Sequence, residues 1–433
     1  MRWREEHEMK DSGVEWLGAI SKRWGITYIK RAYEIQLGKM LQNSPLGEDD
    51  ISVPYLRAVH VQWDGINTAD LPLMWVNCRD LEKYGIRRGD LIVLEGGEVG
   101  RAAILSSEIE GPCIIQNALH RVRSTSIGRN RFLMYLLRVA RQSGWFEVLC
   151  NKATIAHLTG EKLGAMRIPL PSPSEQDSIL SFLDAKTTAI DALIAKKQRL
   201  IELLEEKRQA MITQAVTKGL DPNVPIKDSG VEWLGEIPAH WDIAPVWTLF
   251  RLGRGRVISA LEIQNRPGPY PVYSSQTEND GVMGSIDTFD FEGAFLTWTT
   301  DGANAGTVFS RQGKFNCTNV CGTMSPIKRD TELDYYHHVL NQATGPFVRH
   351  DINPKLMNGV MAKIRVPVPP VAEQADICQC ASVWVQTTDE LAEIIGRQIA
   401  SLQEYRQALI TAAVTGKIDV REEVSACLQT TGK

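Results

Sequence analysis

The chain has 433 residues, of which 43% are hydrophobic and 23% charged, with a formal net charge of −4. That length allows two or three domains with real cores, and the composition excludes wholesale disorder. No apolar run approaches the ~18–20 residues needed to cross a bilayer, and the mild acidity excludes a uniformly basic coat for nucleic acid, leaving local charge to decide.

In chain order, residues 1–24 hold a charged tail and the segment Asp11-Ser-Gly-Val-Glu-Trp-Leu-Gly18. Met1 to Gly13 lacks the apolar stretch of a secretory leader, so a cytoplasmic protein is expected. Residues 25–167 read as a first globular domain. Short β-type runs dominate it, Ser52–Arg57, Asp90–Leu94 and Arg101–Leu105, and a helix is expected over Arg131–Leu149. Residues 168–220 open with Pro169, Pro171 and Pro173 and continue as a long amphipathic stretch, free of proline and glycine from Ser174 to Lys218. Ile179, Leu183, Ile190, Leu193, Leu200, Leu204 and Met211 form its apolar seam, the pattern of a coiled-coil helix roughly 60 Å long. A linker follows at 221–241, then a second globular domain at 242–365 with strands expected at Gly293–Thr299 and Thr307–Ser310. Residues 366–418 repeat the proline run and long helix, with seam positions Ile377, Leu391, Ile395, Leu402 and Leu409, before a C-terminal tail at 419–433.

The repeats outrank every local signal. Asp11–Gly18 returns verbatim as Asp228–Gly235, 217 positions on. Glu175-Gln176 returns as Glu373-Gln374, Leu193 as Leu391, and Arg208-Gln209-Ala210 as Arg406-Gln407-Ala408, all 198 positions on and without a gap. The chain is a tandem duplication whose flanks and helices agree while the globular contents diverge. That is what a scaffold with two variable readers needs, although a plain structural duplication would also allow it.

Catalytic motifs are missing. There is no GxxxxGK[ST], no HExxH and no Asn/Asp-Pro-Pro-Tyr/Phe, and Glu205-Glu206-Lys207 sits mid-helix without a carboxylate on a strand before it. His337-His338 are adjacent on a predicted helix and diverge, and the eight cysteines complete no zinc-ligand spacing, so reduced thiols and no metal site are expected. Nucleic-acid chemistry does accumulate. Residues 19–167 hold 20 Lys+Arg against 15 Asp+Glu. Arg101, Gln116, Asn117, His120, Arg121, Arg123 and Lys152 are candidate DNA contacts in the first domain. Arg254, Arg256, Ser274, Ser275, Gln276, Asp301, Asn304, Thr318, Asn319, Arg349, Asn353 and Lys355 are candidates in the second. Guanidinium and ammonium groups meet phosphate, and amides and guanidiniums make paired hydrogen bonds to base edges.

The paired SGVEWLG segments, the proline run into Glu-Gln, and the helix text around Ala195-Lys-Lys and Arg199–Gly219 resemble the specificity subunits of type I restriction–modification enzymes. The resemblance covers nearly the whole chain and is strongest over Asp11–Gly18, Ile168–Asp221, Asp228–Trp241 and Val366–Ile418. Tyr270-Pro-Val-Tyr273 and Asp301-Gly-Ala-Asn-Ala-Gly306 are similar to one class of that family's target recognition domains. Cys378-Gln-Cys380 and Val383-Trp-Val385 depart from the usual helix text. The resemblance implies an α+β chain, a tandem duplication of two globular α/β target recognition domains separated by two long antiparallel coiled-coil helices, in a circular pseudo-twofold layout. It implies a sequence-specific DNA-binding subunit without catalysis, each domain reading half of a split site on double-stranded DNA. Two methyltransferase subunits carrying S-adenosylmethionine, and restriction–translocase subunits using ATP and Mg, would be its partners. Two alternatives remain at this level: a coiled-coil protein-interaction scaffold that does not bind DNA, and a self-sufficient nuclease or methylase with an unrecognised site.

Overall fold

The structure is a computed structural model, and it describes residues 2–150, 157–350 and 353–421. The chain forms two compact units, Met1–Lys196 with Gln398–Lys433, and Lys197–Arg397, so the boundary passes through both long helices.

The first unit is built on an antiparallel sheet of β1 (Tyr33–Leu37), β2 (Leu91–Leu94), β3 (Ala102–Ile104) and β4 (Leu119–Ser124), in the order β3-β2-β4-β1. Leu91 to Leu94 are all buried, as in a central strand covered on both faces. Helix α1 (Asn130–Gln142) packs on β3 and buries Phe132, Leu133, Leu136 and Leu137. The helix expected to reach Leu149 breaks at Gly144, whose φ of 74° sits in the left-handed region that ends helices. A smaller three-stranded sheet (Ile51–Leu56, Leu73–Val76, Ile114–Ile115) adds to this unit.

The second unit repeats the plan. Its sheet runs β5-β10-β8-β9-β6-β7, from β5 (Phe250–Arg254), β6 (Pro267–Tyr273), β7 (Val282–Ile286), β8 (Phe291–Thr299), β9 (Val308–Cys317) and β10 (Cys321–Pro326). The order β5-β10-β8-β9 matches β1-β4-β2-β3, and helix α2 (Leu333–Ala343) packs on β9 as α1 does on β3.

Both units close with the same devices. In the first, Gly13 N–H donates to Asp11 Oδ1, Val14 N–H to Ser12 Oγ, and Ser12 N–H to the Gly18 carbonyl. In the second, Gly230, Val231 and Ser229 make the same three bonds to Asp228, Ser229 and Gly235. Gly13, Gly18, Gly230 and Gly235 all have φ between 62° and 66°, where a side chain is strained. The Gln of each Glu-Gln pair reaches back over the proline run: Gln176 Nε2 donates to the Pro171 carbonyl at 2.9 Å, and Gln374 Nε2 to that of Pro369 at 2.8 Å.

The long helices span Pro173–Lys218 and Val371–Val414, 46 and 44 residues. In the first unit Arg406 binds Asp191 at 2.8 Å, and in the second Arg208 binds Asp389 at 2.8 Å. The residue numbers of both pairs add to the same total, as antiparallel register requires, and a shift of 198 turns one pair into the other. The two ends of the described chain meet within the first unit. Arg2–Trp3 pairs with Ile418–Asp419, and Trp24 lies on Gly416 at the close of the second helix. Trp241 lies on Gly219 at the close of the first. Each unit therefore holds one core uniting the SGVEWLG segment, a globular sheet and parts of both helices.

The seam is narrower than its heptad text. Ile179, Leu183, Ile190, Ile377, Ile395 and Leu409 are buried, and Leu204, Met211 and Leu402 partly so. Leu193, Leu200 and Leu391, expected in the seam, remain 43%, 45% and 41% exposed. They fall mid-helix, away from the ends that the globular parts cover, where a pair of helices leaves one side of an apolar stripe in water.

Candidate nucleic-acid interface

In the second unit, five separate segments converge beyond β5. Arg254, the last residue of β5, donates from Nε to the Asn319 carbonyl at 2.6 Å, reaching the turn between β9 and β10. Asp301, just after β8, lies 3.7 Å from Arg254 and 3.4 Å from Lys355. Gly302 N–H donates to the Pro354 carbonyl, and Arg349 and Lys355 exchange backbone hydrogen bonds. Asn304 Nδ2 donates to Thr277 Oγ1 at 3.3 Å, and Thr318 Oγ1 to Ser274 Oγ at 3.3 Å, which brings in the loop between β6 and β7.

Arg254, Gln276, Asn304, Asn319, Arg349, Asn353 and Lys355 are exposed, Ser274, Ser275 and Asp301 are half-buried, and Thr318 is buried. Two cations, Arg254 and Lys355, thus face one carboxylate, with Arg349 bridged to Lys355 through the backbone and exposed amides nearby. Such a surface suits phosphate and base edges together. Arg256 does not extend it. Glu262 at 2.8 Å and Asp290 at 3.0 Å hold its guanidinium, and the bond to Glu262 raises its pKa further.

The first domain corrects more of the sequence reading. His120 is fully buried, its Nε2 2.7 Å from the Leu158 carbonyl, and burial pulls the imidazole below its usual range. Arg121 is buried and donates to the Gly85 carbonyl at 2.5 Å. Arg123 holds Asp90 with two bonds, at 2.7 and 2.8 Å. Arg101 donates to Gln62 at 2.9 Å and lies 3.2 Å from Glu98. These four side chains hold the fold. Strand β4 carries His120, Arg121 and Arg123 where a cationic run in the text suggested a surface, and Arg101 stands just before β3. Arg129 and Arg131 pair with Asp177 and Asp184 on the first long helix. Gln116 and Asn117 stay half-buried at the turn before β4, and Lys152 lies outside the described residues.

What the sequence hid is that this turn is the same place. Glu95 N–H donates to Ala118 O as Thr300 N–H does to Val320 O. Leu158 N–H donates to Glu95 O as Leu356 N–H does to Thr300 O, and Leu94 N–H to Arg101 O as Thr299 N–H to Thr307 O. By these bonds Gly96 takes the place of Asp301, His157 that of Lys355, and Asn117 that of Asn319; Leu37, opposite His120, takes that of Arg254, opposite Gly322. Gly96 does lie against the His157 ring, with Nδ1 3.6 Å from where its Cβ would be. Lys39, paired with Asp80 at 2.8 Å, corresponds to Arg256. His157 and Lys39 were missed because no spacing in the text links them to a glycine turn far along the chain.

The fold defines a class: a duplicated α+β protein whose two units carry equivalent loop clusters of different chemistry. The chain belongs to the family described as the type I restriction modification DNA specificity domain, whose model matches twice, over residues 38–203 and 238–399. A Mycoplasma pneumoniae type I specificity subunit is 31% identical over 252 residues, 58% of this chain and 86% of that one. Another, the specificity subunit of the type I restriction enzyme MpnII from the same organism, is 38% identical over 148 residues, 34% of this chain and 44% of that one. A Methanocaldococcus jannaschii chain, named as the specificity subunit of the type I restriction enzyme MjaX, is 22% identical over 94% of this chain and 96% of its own length. Several M. pneumoniae relatives are matched over only 40–61% of their length. Among solved structures, a component of a type I R-M system aligns with a TM-score of 0.67 at 14% identity, covering 92% of this chain and 99% of that one. The HsdS subunit from Thermoanaerobacter tengcongensis aligns with a TM-score of 0.53 at 14% identity, covering 92% and 98%. At that identity, the likeness is one of fold.

Proposed function

We propose that the chain is the DNA-reading, non-catalytic specificity subunit of a type I restriction–modification complex. Each globular domain reads one half of a split site on double-stranded DNA. One observation carries this reading: the same backbone frame presents Arg254, Asp301, Asn319 and Lys355 in one domain and Leu37, Gly96, Asn117 and His157 in the other. Two readers with different side chains in one geometry recognise two different half-sites.

The duplicated helices suit two identical partners on one chain, which fits a pair of methyltransferase subunits. The exposed Leu193, Leu200 and Leu391 offer them apolar surface. S-adenosylmethionine would belong to those subunits, and ATP with Mg to restriction–translocase subunits. No described helix is long and apolar enough to cross a membrane, and action on cytoplasmic DNA is the setting this reading requires. The test is methylation-sensitive sequencing of the host genome with and without the gene. A two-part adenine-methylation motif that disappears on deletion is expected; an unchanged methylome in a host that makes the chain overturns the reading.

A further inference from the structure

Arg311 lies in the middle of β9, 3% exposed. Its guanidinium stacks on Tyr273 at 3.7 Å and on Phe309 at 4.4 Å, and its Nε donates to Thr297 Oγ1 at 3.3 Å. The remaining nitrogens leave the sheet and hold one loop: one binds the Asp280 carboxylate, and the other donates to the Asp280 carbonyl at 2.9 Å.

That loop is unusual in its backbone. Asn279, Asp280 and Gly281 follow one another with φ of 48°, 53° and 77°. Two of these are non-glycine residues in the left-handed region, a conformation that persists where the surroundings hold it. The loop begins with Ser274, Ser275, Gln276 and Thr277, three of them candidate base contacts. Two bonds close it, Ser274 N–H to the Gly281 carbonyl and Gln276 Nε2 to the Val282 carbonyl, and Thr277 is tied to Asn304. Gly281 is buried against the guanidinium, with Nη2 3.2 Å from where a Cβ would stand. An arginine whose charge is turned inward onto a carboxylate and two rings does not serve as a phosphate contact.

We propose that Arg311 is a positioning residue for DNA reading. By clamping Asp280 it fixes the left-handed turn, and so fixes where Ser274–Thr277 present their hydroxyls and amide to base edges of the second half-site. This rests on the specificity-subunit reading above. A lysine at this place keeps the charge but loses the planar fork and the stacking.

The experiment maps methylated adenines in the host genome with the full chain as the only variable. The wild-type chain must first yield a two-part motif; if it does not, the specificity-subunit reading itself has failed. With R311K, one half of the motif should become degenerate at one or more positions, and the other half should not change. Discrimination at a read base pair, of order tenfold or more, should fall toward one. D280A, whose side chain is exposed, should relax the same positions and decides the matter if R311K does not accumulate. An unchanged motif, or methylation lowered evenly at all sites without relaxation, overturns the proposal, because a purely structural role would act on occupancy alone.

Discussion

Among the described residues, Asp301 is the carboxylate that faces Arg254 and Lys355, at 3.7 Å and 3.4 Å. There the carboxylate offsets part of the charge of the two cations that face it. D301N keeps the shape and a hydrogen-bonding group but removes the negative charge, freeing one cation's worth of attraction for phosphate. Each added phosphate contact steepens the dependence of log affinity on log salt by about 0.9. Between 50 and 200 mM salt, the extra loss of affinity is therefore about 3.5-fold. K355Q should shift the slope by a similar amount in the opposite direction. Fluorescence anisotropy of a labelled non-cognate duplex over a salt series isolates this effect, since base reading does not enter there. The sign is the critical point. A D301N slope equal to or shallower than wild type, or a K355Q slope that does not move, refutes the placement of phosphate at this cluster.

Two further outcomes concern the frame. Gly416 has φ of 71°, and a Cβ there would stand 2.8 Å from Trp24 and 2.9 Å from Ser21, whereas at Gly219, φ 79°, the nearest atom is 3.3 Å away. G416A should therefore destabilise by about 2–4 kcal/mol, through strain plus overpacking. G219A should cost about 1–2 kcal/mol, through strain, and denaturant midpoints that do not fall in that order would contradict the packing. His338 is held neutral by burial and by the neighbouring His337, with Asp334 opposing, so its pKa drops from 6.5 to about 4. The unfolded chain then binds the proton first as pH falls, and stability present above pH 6.5 is lost progressively toward pH 4. H338Q should flatten the melting temperature across that window; an unaltered pH profile would show that this imidazole is not the group responsible.

Much of the architecture could be read in the text, and the reason is specific. The long helices carry their pattern in every turn, and the repeats placed both ends of each one. The arginines around 121–131 misled because a charge run does not say which side of a strand it occupies. Arg121 and Arg123, on β4, turn toward Gly85 and Asp90, while Arg129 and Arg131, at the start of α1, turn toward the first long helix. Arg311 was passed over for the opposite reason: a lone arginine in an apolar strand gives no sign that Asp280 and Tyr273 will meet it. The cluster of Arg254, Asp301 and Lys355 was named residue by residue, but nothing in the text brought those three together.

The bonds themselves explain why one segment repeats verbatim while the readers have diverged. The SGVEWLG turn is made by side chains: a carboxylate accepts from Gly13 or Gly230, a hydroxyl from Val14 or Val231, and two glycines occupy left-handed backbone. A change at the Asp, the Ser or either glycine removes a bond or adds strain, so those positions can hardly move. The bonds framing the loop clusters run from backbone to backbone: Glu95 to Ala118, Leu158 to Glu95, and their counterparts at Thr300, Val320 and Leu356. They do not depend on which side chain each residue carries. Leu37 can become Arg254, Gly96 can become Asp301, and His157 can become Lys355 without disturbing the frame. A protein that must hold its partners constant while altering what it reads would place side-chain-specific bonds in the first region and backbone bonds in the second.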